Sequence, residues 1–192
     1  MASYTVKQKK EEILKKYSSW QLQRVNNFTS FDSRSIEELP IKDFLAVLYL
    51  SNVQFNAPCF ERRLALKGWQ KIKSSENNGD FKIKGFERNV ELKMSFPNKE
   101  NKINIRQIRL WQNCDYIVAY CDSENEIPKH IVLFLTHEQM IEQVKKYGSP
   151  MHGTKKANSV NKNVEYGIAI NKANLNNWKQ FENIKLLNFM FS

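Results

Sequence analysis

Residues Gly79–Phe96 read GDFKIKGFERNVELKMSF. Phe81 and Ile83 alternate with lysines, Lys84–Asn89 supplies a turn, and Val90, Leu92, Met94 and Phe96 resume the alternation. A period of two marks a strand with one apolar face, so the segment predicts a hairpin. On the returning strand Glu91, Lys93 and Ser95 share the opposite face. Glu91 and Lys93 are next neighbours there, on the order of 7 Å apart. Asp80 follows a glycine at the mouth of the first strand, where a hairpin can bring it alongside Glu91.

Two carboxylates that close repel each other unless positive charge lies between them. A hard divalent cation suits the gap, since magnesium takes oxygen ligands and keeps waters for a substrate. A lysine beside it can orient a nucleophilic water and stabilise charge developing on a phosphate. The same residues also suit a solvated strand face, with Lys82, Lys84 and Glu87 in the same hairpin.

Gly79-Asp80 followed by Glu91-Leu92-Lys93 on a returning strand resembles the PD-(D/E)xK nuclease superfamily, which includes most type II restriction endonucleases. Glycine stands where the motif's name has proline. The resemblance implies an α/β fold: a restriction-endonuclease-like core with a central mixed β-sheet flanked by helices. Its order is a helix, a three-stranded meander, a helix and a further strand, and residues 58–135 fit that order. It implies Mg2+ held by Asp80, Glu91 and the carbonyl of Leu92, joined by Glu61 of the preceding helix. Lys93 would position the attacking water. Arg106, Gln107 and Arg109, on the helix expected after the meander, would reach DNA, and Gln107–Trp111 loosely resembles the Q-x-x-x-Y of RecB-like nucleases.

Working outward, Phe44, Leu45, Leu48, Tyr49 and Val53 fall at helical spacing and predict a buried helix over Ile41–Phe55. Pro58 is read as the first turn of a second helix, Pro58–Gln70. Ile105, Ile108 and Trp111 predict a helix over Ile103–Gln112. Tyr116–Cys121 and His130–Leu135 read as strands. Thr136 with Gln139 three residues on forms a capping box that opens a helix to Tyr147. A strand over Val164–Ile170 and a short helix around Asn174–Phe181 follow. Residues 5–27 read as a basic helix.

The chain has 192 residues, enough for one domain that buries roughly 70% of its unfolded surface without disulfides or structural metal. Thirty Lys and Arg against twenty Asp and Glu leave a net charge of +10. Such a surplus favours a polyanion, because neutralising phosphates releases counterions. The richness in Lys and Asn is also what an AT-rich genome would write. Cys59, Cys114 and Cys121 form no C-x-x-C pair; Cys114 and Cys121 read as small core hydrophobes and Cys59 as a core or surface thiol, in a reducing compartment. The N-terminus lacks the apolar run of a secretory signal and no stretch is apolar enough to span a membrane, which leads to the expectation of a cytoplasmic protein with no membrane partner. The four tryptophans read as core anchors. His130, His137 and His152 form no zinc pattern.

The expected protein is thus a single nuclease domain over 1–192. Residues 1–56 form an N-terminal helical part suited to homodimerisation, 57–135 a catalytic core, and 136–192 a part contacting DNA. In the last of these, His152, Thr154, Lys155 and Lys156 lie in a glycine-containing loop that can approach phosphates or base edges. The expected activity is Mg2+-dependent, sequence-specific cleavage of double-stranded DNA, leaving 5′-phosphate and 3′-hydroxyl ends. Two rivals stand beside it: a repair, phage or homing nuclease of relaxed specificity, and a non-catalytic basic DNA-binding protein whose hairpin acids face water. Asp115 is a spare acid.

Overall fold

The structure is a computed structural model that describes residues 36–50, 53–73, 78–96, 102–121, 130–151, 164–171 and 173–192. The readings made for residues 5–27 and for the His152–Lys156 loop lie outside the described residues. The fold is α/β, with a mixed central sheet flanked by helices.

After a short 3-10 turn, α1 (Ile41–Leu50) and α2 (Val53–Leu66) pack on each other. Three strands follow: β1 (Gln70–Lys71), β2 (Phe81–Lys82) and β3 (Val90–Ser95). They form an antiparallel meander, with Lys71 paired to Phe81 and Phe81 to Val90. β5 (Asp115–Tyr120) lies parallel to β3, pairing Val90 with Asp115 through Ser95 with Tyr120, and β6 (Ile131–Leu135) completes the five-stranded sheet antiparallel to β5. A second, three-stranded sheet runs in the order β4 (Ile103–Arg109), β8 (Glu165–Ile170), β7 (Ser149–Pro150). Between β6 and β7 lies α3 (His137–Tyr147), and two 3-10 turns lead to α4 (Ile184–Phe191).

β5, between β3 and β6, is buried on both faces, as a parallel neighbour of β3 should be. Ile117 and Ala119 point into one core, with α1, α2 and α4; Tyr116 and Val118 point into the other, with β4, β8, α3 and Trp178. Each fully buried Leu, Ile or Phe contributes about 1.5–3 kcal/mol, so both layers stabilise the chain. Residues 164–192 supply Ile168, Ile170, Trp178, Phe181, Leu186 and Met190 to these cores and are structural as much as peripheral.

The Thr136 capping box forms as the sequence indicates, and all three cysteines are buried free thiols. Five expectations are corrected. Residues Ile103–Arg109 are a strand, not a helix. Opposite β8, Ile105 pairs with Ile168 and Ile108 with Tyr166, so β4 spends three residues where β8 spends two. This bulge returns Ile108 to the buried face at a spacing of three, which imitates a helix. Gln107 supplies it with a left-handed φ of 54°.

α2 begins at Val53, and Pro58 stands inside it, where it withholds one backbone bond instead of opening the helix. α1 accordingly stops at Leu50, short of the expected Phe55. The Asn174–Phe181 helix is two 3-10 turns, and α4 beyond them was not anticipated. Trp111 is 40% exposed in the turn after β4, whereas Trp69 and Trp178 are core residues. No helix among the described residues is long and apolar enough to cross a membrane.

Candidate active site

Asp80, Glu91 and Lys93 lie together where β2 meets β3. Gly79 makes the turn that delivers Asp80. Its φ is 82°, and a Cβ there would stand 3.0 Å from the Val90 carbonyl carbon and oxygen and 3.3 Å from Cβ of Cys114. Proline, held near −65°, cannot adopt that backbone, which explains glycine at this position. Gly79→Ala should cost about 2–4 kcal/mol in chemical denaturation, from the left-handed backbone plus overpacking against a rigid strand. Unchanged stability would show that the turn has room the structure denies it.

The Asp80 N–H donates to the Val90 carbonyl at 2.8 Å, and its Oδ2 accepts the Leu92 N–H at 2.8 Å. Asp80 therefore brackets Glu91 from the neighbouring strand. In a strand the N–H and C=O of one residue point to the same edge, so the Leu92 carbonyl also faces the Asp80 side. Glu91 is 6% exposed and accepts from the Lys93 ammonium at 2.6 Å. The expected shared face of Glu91 and Lys93 is thus present. Cys114 and Tyr116 border Glu91; the Tyr116 hydroxyl donates to the Arg109 carbonyl at 3.1 Å.

The electrostatics single out Asp80. Burial, then the carboxylates of Glu91 and Glu61, push it up to about 7, while the Leu92 amide and Lys93 pull the other way. Burial, with Glu91 adding, likewise pushes the Cys114 thiol up to about 12, and burial raises Cys59 and Cys121 as well. None of these thiols is activated as a nucleophile.

Glu61 is close enough to act on Asp80, yet its carboxylate is paired with Lys71 of β1 at 2.7 Å. Each acid thus has a separate partner: Lys93, Lys71 or the Leu92 amide. Among the described residues no three His, Cys, Asp or Glu side chains are grouped to hold a metal ion. The oxygen set that fits a hard cation best is Asp80, Glu91 and the Leu92 carbonyl, because the repulsion that raises Asp80 is what a cation would relieve. Glu61 could join only on release from Lys71.

The other expected contacts divide. Arg106 and Gln107 are exposed on β4, not on a helix. Arg109 is tied to Glu165 of β8 at 2.8 Å. Asp115, the spare acid, is buried; its Oδ1 accepts the His137 N–H at 3.0 Å and lies 3.7 Å from Arg88, which binds Glu138 at 2.7 Å. It anchors the start of α3 to the sheet. Lys71 is absent from the sequence reading because Trp69–Lys73 (WQKIK) does not alternate and gives no strand signal, unlike Phe81–Lys84. No protein-family model, curated protein or solved structure matches the chain.

Proposed function

We propose that the protein is a magnesium-dependent endonuclease of double-stranded DNA, working at Asp80, Glu91 and Lys93. One observation carries this reading: Asp80 is held beside Glu91 and Glu61 in a partly buried place where its charge is disfavoured, with a half-buried lysine 2.6 Å from Glu91. A fold gains no stability from crowding acids in this way, and such arrangements concentrate at functional sites. The order of β2, β3 and parallel β5 around these residues agrees with the nuclease resemblance, while a strand, β4, stands where that superfamily has a helix.

Magnesium bound by Asp80, Glu91 and the Leu92 carbonyl would supply Lewis-acid polarisation of phosphate and acidification of water. The residues contribute the rest. Asp80 and Glu91 fix the oxygen geometry through the Leu92 amide and Lys93. The Lys93 ammonium, beside Glu91, would position the attacking water and stabilise the charge that develops on the phosphoryl oxygens. The net charge of +10 favours the encounter with DNA.

Sequence-specific cleavage by a homodimer, as a type II restriction enzyme performs it, is the finer form of the proposal. Incubating a long, fully sequenced DNA with magnesium should give sharp bands, and the fragments should be religated by DNA ligase, which needs 5′-phosphate and 3′-hydroxyl ends. A smear would reduce the proposal to a nuclease of relaxed specificity. DNA left intact across metals and salts would overturn it in favour of a basic DNA-binding protein.

A further inference from the structure

Two lysines face acids at the Asp80 site, and they differ in how firmly they are held. The Lys93 side chain is 13% exposed and closed in with Glu91 at 2.6 Å. The Lys71 side chain is 47% exposed and meets Glu61 at 2.7 Å. It reaches out from the edge strand β1, which is two residues long and pairs with β2 alone. An ion pair so open to water contributes little stability, because solvent screens it and holding the lysine stem costs side-chain entropy. Of the two contacts, the one between Lys71 and Glu61 can open with little loss.

The ladder fixes where Lys71 stands. It is paired with Phe81, and the Ile72 N–H donates to the Asp80 carbonyl at 2.8 Å, so β1 runs alongside Asp80 at this point. Cross-strand partners share a face. Phe81 packs into the core with Phe60 and Leu64 of α2, and Lys71 therefore leans toward α2, where Glu61 meets it. The neighbouring arginines on that helix are engaged elsewhere. Arg62 is held by Glu37 at 2.6 Å, and Arg63 donates to the Glu37 and Leu39 carbonyls at 2.6 and 2.7 Å.

The charges decide what an opened pair does. With Asp80 ionised, the three carboxylates of Asp80, Glu61 and Glu91 face the two ammoniums of Lys71 and Lys93. One negative charge is left over, and it repels a phosphate. A divalent cation reverses that sign. Glu61 is then attracted by two charges in place of one, and leaves a half-exposed ammonium for the cation. Lys71, once released, presents a compact point charge that suits a phosphate.

We propose that Lys71 couples metal and DNA binding: its ammonium holds Glu61 in the metal-free protein, and passes to a DNA phosphate when Glu61 joins Asp80 and Glu91 about a divalent cation. This coupling rests on the cation site proposed above at Asp80 and Glu91. Binding couplings are reciprocal, so DNA strengthens ion binding by the factor by which the ion strengthens DNA binding.

The full chain is tested at pH 8 and constant ionic strength by two measurements, neither of which is cleavage. Melting temperatures report the binding of calcium, which takes oxygen ligands as magnesium does. Fluorescence anisotropy reports affinity for a short duplex that a gel shows to stay whole. In the wild type, calcium should raise duplex affinity at least about tenfold. In Lys71→Met that gain should shrink by about threefold or more, and calcium alone should bind about threefold more tightly. Duplex affinity of Lys71→Met in EDTA should stay within about twofold of the wild type, since Glu61 already occupies the lysine there. Glu61→Gln frees Lys71 and should raise duplex affinity in EDTA about threefold. Lys73→Met removes the same charge from an exposed lysine two residues along and should match the wild type throughout. A Lys71→Met variant that keeps the full calcium gain, or that weakens the duplex equally with and without calcium, would overturn the coupling. So would Glu61→Gln with unchanged duplex affinity in EDTA. Melting temperatures that calcium moves in neither wild type nor Lys71→Met would overturn the cation site as well, so the two proposals fail in distinguishable ways.

Discussion

Lys93→Ala is expected to reduce DNA cleavage by at least about 10³-fold while leaving DNA affinity in EDTA near that of the wild type. Removing one pre-placed donor from a site of charge development typically costs 10²–10³ in rate, and Lys93 would also orient the water. The substitution has a second consequence. Glu91 is buried and Lys93 is its partner at 2.6 Å, so truncation leaves an uncompensated acid and should cost about 3–5 kcal/mol of stability. Lys93→Met combined with Glu91→Gln removes both charges and should restore much of that stability without any activity. A merely structural ion pair would behave differently: the double variant would recover whatever function the single one lost.

Asp80→Asn should raise the melting temperature of the metal-free protein at pH 8, by at most roughly 8–16 °C, and at the same time abolish cleavage. Burial with Glu91 and Glu61 lifts Asp80 from 3.8 to about 7. The folded state therefore binds more protons than the unfolded state across that window, and stability falls as pH rises through it. At 1.36 kcal/mol per unit the loss is about 4 kcal/mol at most, which for a chain of this size corresponds to that shift in melting temperature. Asparagine keeps an oxygen for the Leu92 amide and carries no charge, so the gap between variant and wild type should close at pH 4. Magnesium should raise the wild-type melting temperature at pH 8 and leave Asp80→Asn unmoved, since only the carboxylate pair attracts it. A wild-type melting temperature that is flat from pH 4 to 8 in EDTA would mean that Asp80 is not under this repulsion.

The parts of the fold legible in the sequence are those where one periodicity acts alone. The hairpin over Phe81–Phe96, the β5–β6 pair and the capped α3 all carry unmixed signals: strict alternation, continuous apolar runs and Thr136 with Gln139. β4 was misread because its bulge at Gln107 converts a period of two into a spacing of three between Ile105 and Ile108. α2 was clipped because Pro58 stands at a position where proline ordinarily starts a helix. At the site, Asp80, Glu91 and Lys93 were visible because charge interrupts apolar alternation there. The Glu61–Lys71 pair was not, since it joins a helix to a strand through tertiary packing alone.

Whether Asp80, Glu91 and Lys93 form a metal-dependent phosphodiesterase centre is tested most directly by one gel. A single sequenced plasmid is incubated with wild type, Asp80→Asn and Lys93→Ala, each with magnesium and each with EDTA, after melts have shown all three to be folded. The expected result is cleavage in the wild-type lane with magnesium and in no other. Intact plasmid in that lane, or equal cutting by either variant, would contradict it.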